Sequence, residues 1–174
     1  MPGLSRIVWR RAGMEGMLWI GGLEKQLDLE NRLSYGDLVR LGDVGACRIL
    51  EFFYRERPIS RDSRVGYAIT LQRPTRVVVS RVVVPERRRE GYGREILGIL
   101  AAECERRNLR RLVAEVDERA VGVQQFLSAC GFHASATIRR NRSTAVQFER
   151  RVDDREPTPF EAIDCREEIP ARGE

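Results

Sequence analysis

At 174 residues, with 42% hydrophobic and 33% charged side chains, the chain has the size of one domain and enough apolar material to bury a core. No apolar run approaches the ~18 residues of a membrane span, and Met17–Ile20 is too short, and too soon followed by charge, for a signal-peptide core, so a cytoplasmic protein is expected. Of 31 basic residues only Lys25 is a lysine and the net charge is +5, but the arginines are interleaved with 26 acids and form no basic stripe, so nucleic-acid binding is not expected.

Residues 1–35 are read as an N-terminal extension of uncertain structure, with Gly21-Gly22 breaking an apolar patch and Met14 and Met17 leaving open a later start. Asp37–Leu41 reads as a first strand. From Val44 to Tyr54 the apolar residues follow the i, i+3, i+4, i+7 spacing of an amphipathic helix, although Phe52, Phe53 and Tyr54 also suit a strand. Val65–Leu71 and Arg76–Val84 are β-branched runs around Gln72-Arg73-Pro74-Thr75 and predict a hairpin. Pro85 ends the second strand because it has no N–H to give a ladder.

Gly91–Arg107 predicts a long helix, with Ile96, Leu97, Leu100, Ala101 and Cys104 on one face. Arg110–Asp117 predicts a strand in which Leu112, Ala114 and Val116 alternate with Val113 and Glu115. Val121–Cys130 predicts a short helix closed by Gly131, the residue that most readily takes a left-handed conformation after a helix. Ala134–Arg140 and Thr144–Val152 make a last hairpin, and 153–174 is a loose charged tail with few apolar anchors. The domain proper is therefore placed at 36–152. Cys47, Cys104, Cys130 and Cys165 and the single histidine, His133, show no metal-ligand spacing, so no metal is expected and the cysteines read as free, mostly buried thiols.

Chemistry concentrates in Val83-Val84-Pro85-Glu86-Arg87-Arg88-Arg89-Glu90-Gly91-Tyr92-Gly93-Arg94, between a strand and the long helix. The first N–H groups of a helix lack internal partners and the macrodipole adds partial positive charge there, which together attract a diphosphate. Gly91 and Gly93 remove Cβ atoms that would hold the anion away, and Arg88, Arg89 and Arg94 add charge beside it.

Arg88-x-x-Gly91-x-Gly93 resembles the R/Q-x-x-G-x-G/A pattern of the GNAT superfamily of N-acetyltransferases, with Pro85 where those proteins usually have proline. Leu112–Val116 followed by Phe126–Phe132 resembles the second motif of that superfamily, and Ala136–Asn141 resembles the closing strand of its RimI-like branch, which acetylates protein N-termini. The resemblance spans roughly 64–150. It implies an α/β (α+β) GNAT fold: a central mixed, mostly antiparallel sheet, splayed at the CoA site and flanked by helices.

It further implies that acetyl-CoA is bound by backbone groups of Val82 and Val83 and by the loop carrying Arg88, Arg89, Gly91, Tyr92, Gly93 and Arg94, that Val83 N–H faces the carbonyl oxygen, and that Glu115 is the general base. The partners implied are acetyl-CoA and an amine acceptor, a protein N-terminus or a small amine; no membrane is implied, and a homodimer is left open. Two positions depart from the pattern: Ala120 replaces the usual asparagine, and Leu127 replaces the tyrosine that protonates the leaving thiolate. These departures also suit a second reading, a CoA-binding or regulatory module that has lost turnover. Tyr92 and Cys130 carry protons but nothing in their placement promotes either to a catalytic role; Cys130 reads as core packing, and His133 as a structural or surface residue.

Overall fold

The computed structural model describes residues 6–27, 31–59, 63–85 and 90–152. In chain order the elements are β1 (Ile7–Arg11), α1 (Met14–Gln26), α2 (Tyr35–Gly42), β2 (Cys47–Tyr54), β3 (Arg64–Gln72), β4 (Arg76–Val83), α3 (Tyr92–Arg106), β5 (Arg111–Asp117), α4 (Val121–Ala129), β6 (His133–Arg140) and β7 (Ser143–Arg151). The strands form one sheet in the order β1-β2-β3-β4-β5-β7-β6. Every neighbouring pair is antiparallel except β4 with β5.

The sheet separates two apolar cores. On one face α3 packs Ile96, Leu97, Ile99 and Leu100 against Leu50, Phe52, Ala68, Val77 and Leu112, together with Leu127 and Cys130 of α4. On the other, Ile20 and Leu23 of α1 and Leu38 of α2 cover Cys47, Ile49, Tyr67 and Ile69. Strand β2 therefore buries both faces, with Phe52 and Phe53 each fully enclosed. That explains why it mimics a helix in sequence: apolar residues fall at nearly every position, so their spacing carries no period of two. The region expected to be an amphipathic helix is a strand.

Asp37–Leu41, expected as a strand, lies within helix α2. A capping box fixes its start: Asp37 N–H donates to the Ser34 hydroxyl at 3.2 Å, and Ser34 N–H donates to the Asp37 carboxylate at 2.8 Å. Residues 1–35, read as an extension, contain two elements of the domain itself. Strand β1 pairs with β2 from Ile7↔Tyr54 to Arg11↔Leu50, and Ile7 is 1% exposed. The tail at 153–174 lies outside the described residues.

Elsewhere the local signals correspond to the elements. Gly91 stands at the N-cap of α3 with φ +87°, and Gly131 follows α4 with φ +82°, both in the left-handed region that favours glycine. Cys47, Cys104 and Cys130 are buried, and burial pushes the Cys104 thiol up to about 12. His133 is exposed at the start of β6. Among the described residues no helix is long and apolar enough to cross a membrane, and no group of three or more His, Cys, Asp or Glu could hold a metal ion.

Candidate active site

Strands β4 and β5 part company halfway. Their parallel register runs from Arg76↔Arg111 to Val79↔Ala114 and stops there, while β4 continues to Val83 and β5 to Asp117. The cause is visible on the other side of β4. Opposite β3, Thr70 pairs with Val79 and Ile69 with Arg81, so Ser80 is an extra residue, a β-bulge. A bulge bends its strand and reverses which face the following side chains take. Val77 and Val79 accordingly face α3 before it, and Val82 and Val84 do so after it. Arg81 and Val83 turn to the side of α1 and α2.

The gap opens a cleft of about 650 Å³ between the diverging strands, the start of α3 and one side of α4. Its walls are largely apolar, with Val82, Val83, Val84, Leu97, Val116, Val123, Phe126 and Leu127 among them, and with Arg81, Arg94 and Glu115 as the charged residues among those described. An apolar cleft with a few placed polar groups is the usual form of a small-molecule site.

At one end lies the N-terminus of α3. Gly91 and Gly93 line the cleft there, and a Cβ at Gly93 would stand 3.1 Å from Cζ of Phe126, so the glycine makes room for that ring. Arg94 donates to the Ala129 carbonyl at 2.8 Å, strapping α3 to the C-terminal end of α4. Tyr92 is placed differently from its neighbours. Its ring is buried at 5% exposure and packs edge-on against Tyr54 at 5.6 Å, so only its backbone could serve a ligand. Arg88 and Arg89 lie outside the described residues.

On the sheet, Val82 and Val83 are half-buried along the cleft edge of β4. Gly66 of β3 permits that course, because a Cβ there would overlap the Val83 carbonyl oxygen. Glu115 is exposed in β5, beside the cleft and opposite Gln147 of β7, on the face away from α3. Leu127 is 4% exposed and forms part of the α4 wall; Ala120 is the N-cap of α4 and makes no side-chain cap bond.

Sequence reasoning missed a buried cluster bordering the cleft. Glu24 of α1 is fully buried; it accepts from the Tyr67 hydroxyl at 2.5 Å and from Arg81 at 2.9 Å, and also contacts Leu33 N–H. Arg81 further donates to the Asn31 carbonyl at 3.1 Å. Burial, reinforced by the Glu24 carboxylate, drives the Tyr67 phenol well above its ordinary value, so it stays protonated. These residues lie up to 57 positions apart, and no local pattern links them.

Taken together, the open edge of β4, the apolar walls and the glycine-bearing helix start fit a donor with a long, largely apolar arm and an anionic head. A model of the acetyltransferase (GNAT) family matches residues 46–132, and the chain belongs to that family. Its mostly antiparallel seven-stranded sheet and flanking helices are the GNAT fold. Among solved structures it is similar to the ribosomal-protein-S18-alanine N-acetyltransferase of Escherichia coli, at 16% identity over 84% of this chain and 94% of that one, with a TM-score of 0.68. Ard1 of Thermoplasma volcanium gives 17% identity over 84% and 98%, with a TM-score of 0.68. The spermidine N-acetyltransferase of Vibrio cholerae, in complex with CoA and spermine, gives 13% identity over 85% and 96%, with a TM-score of 0.66. These likenesses concern the fold. No curated protein matches the sequence.

Proposed function

We propose that the chain transfers an acetyl group from acetyl-CoA to a primary amine, with protein N-termini the preferred acceptor class. The observation that carries this is the parting of β4 from β5 at the Ser80 bulge, directly beside a helix start that bears Gly91 and Gly93. Acetyl-CoA supplies an activated thioester; the chain's residues supply position and proton transfer. Backbone groups of Val82 and Val83 hold the pantetheine arm, and Val83 N–H faces the carbonyl oxygen where charge develops. The α3 N-terminus with Gly91, Gly93, Arg94 and the expected Arg88 and Arg89 holds the diphosphate. Glu115, on the opposite face of the sheet from α3, takes a proton from the incoming amine, directly or through water.

No protonated side chain is proposed to meet the leaving thiolate, because Leu127 stands where a tyrosine is expected. A thiol with a pKa near ~8.5 leaves without much help. The same poverty of acid and base groups favours an acceptor that is already partly neutral. A protein N-terminus, with a pKa near ~7.7–8.0, meets that condition better than a lysine near ~10.4. Likeness to an S18-alanine acetyltransferase and a spermidine acetyltransferase supports amine acceptors of both kinds.

Calorimetric titration with acetyl-CoA tests the reading, beside a Gly91→Glu variant that places a side chain and a negative charge at a φ of +87°. Binding by the parent and none by the folded variant is expected, followed by CoA release when peptide N-termini are added. A folded parent that does not bind would sink the proposal. The apolar Leu127 in the cleft wall favours one alternative, a CoA-binding module without turnover. Tight binding with no CoA release from peptides, lysine or polyamines would establish that alternative.

A further inference from the structure

Arg6 precedes β1, far in sequence from the glycine loop, yet it holds the first turn of α3 from behind. Arg55 N–H donates to the Arg6 carbonyl at 2.9 Å, so the backbone of Arg6 is anchored to the end of β2. Its side chain then reaches across. Nη2 donates to the Glu90 carbonyl at 3.0 Å, Nε donates to the Glu95 carboxylate at 2.5 Å, and Nη2 completes the ion pair with Glu95. The backbone N–H of Arg6 adds a bond to the other Glu95 oxygen at 3.2 Å. The guanidinium lies 4.5 Å from the centre of the Tyr92 ring, and a Cβ at Gly91 would stand 3.5 Å from Nη2. One side chain thus touches or abuts residues 90, 91, 92 and 95.

Glu95 makes this arrangement consequential. It is 3% exposed in the first turn of α3, where a carboxylate profits from the helix dipole. The same charge opposes any second anion bound at that helix start. The bidentate pairing with Arg6 offsets it and also fixes the carbonyl just before the left-handed Gly91. Arg6 is not among the residues that line the cleft, so its influence passes through the turn it holds.

We infer that Arg6 is a positioning residue for the donor's diphosphate: it holds the Glu90–Tyr92 turn open to the anion and neutralises the Glu95 charge behind it. The inference rests on the acetyl-CoA reading above. It predicts a defect specific to the diphosphate, which a merely structural role would not produce.

The test compares acetyl-CoA with S-acetyl-pantetheine, which keeps the thioester arm but lacks the diphosphate. In Arg6→Ala the KM for acetyl-CoA should rise about tenfold, because the turn loses its brace and the Glu95 charge its partner, while kcat/KM for S-acetyl-pantetheine stays at the parent value. Adding Glu95→Gln to Arg6→Ala should recover part of the acetyl-CoA defect, and Arg6→Lys should fall between parent and Arg6→Ala. Circular dichroism and thermal unfolding show which variants are folded, and Arg6→Lys provides the comparison if Arg6→Ala is not. Equal loss with both donors, or unchanged acetyl-CoA kinetics in a folded variant, would overturn the role of Arg6 alone. A parent that uses neither donor would overturn the acetyl-transfer reading and this role with it.

Discussion

Glu115 and Leu127 border the same cleft from different elements and contrast in what each can do with a proton. One is an exposed carboxylate in β5; the other is an apolar side chain in α4 that can neither give nor take a proton. If proton removal from the amine is the step the protein assists, Glu115→Gln should lower kcat by about 10²–10⁴-fold and leave the KM for acetyl-CoA near the parent value. Steady-state kinetics at saturating acceptor measures this. An unchanged kcat would show that water alone accepts the proton. The glycine positions in the loop were legible because a strand, a proline and a helix bracket them in sequence. The burial of the Tyr92 ring was not, since Tyr54 and Arg6 reach it only through the fold.

Asp37 offers a titration at the same scale. Hydrogen bonds from the Ser34 side chain and backbone, with help from Arg40, hold its carboxyl at about 2, below the ordinary 3.8. A carboxyl depressed by folding stabilises the fold above its unfolded value and loses that contribution as pH falls through the folded value. Asp37→Asn should therefore lower the melting temperature near neutral pH, and the difference should vanish as the pH falls through about 2. Thermal melts of both proteins across that range settle the matter; a constant difference would assign the effect to packing.

Among the elements, α1 depends on the sheet for more than apolar contact. Glu24 carries the helix's buried charge into a bonded set with Tyr67 of β3 and Arg81 of β4. Removing one member of a buried pair strands the other, which costs about 3–5 kcal/mol for a fully enclosed case. Arg81 keeps 21% of its side chain exposed, so Glu24→Ala should cost about 2–3 kcal/mol in urea unfolding. A loss below about 1 kcal/mol would indicate that water replaces the carboxylate at Arg81.

Elements with a self-contained signal were legible: the β3–β4 hairpin from its proline-bearing turn, α3 from its apolar face, β5 from its alternation, and α4 from the glycine after it. Those misread lacked one. Strand β2 is apolar on both faces, α2 is eight residues long, and β1 draws its stability from a partner some forty positions away.

At the scale of the whole molecule, the motifs pointed to a family that the match over 46–132 and the sheet topology both show. They could not show where the first part of the chain belongs. Strand β1 extends the sheet beyond β2, α1 sends Glu24 to the edge of the cleft, and Arg6 reaches the start of α3. Such contacts join residues whose separation in sequence carries no period and no motif. The surface charge follows a similar logic: arginines such as those at positions 6, 10, 64, 81 and 94 lie on different elements and hold separate joints of the fold. A count of basic residues would suggest a surface for polyanions, but several of those charges are engaged in ion pairs and hydrogen bonds within the fold.

Ser80 gives the architecture a simple arithmetic of parity. With the extra residue, β4 shows odd-numbered valines to α3 along its first half and even-numbered ones along its second. Were Ser80 instead taken into a regular ladder with β3, one numbering would hold throughout, with Arg81 turned toward the apolar layer under α3 and Val82 toward Glu24; were it deleted, both would keep their faces and only the bend that parts β4 from β5 would go. The receptacle exists because a single surplus residue puts the strand out of step with itself. Exchanging the side chain at position 80 should therefore leave the cleft intact, whereas deleting the position should take the bend with it.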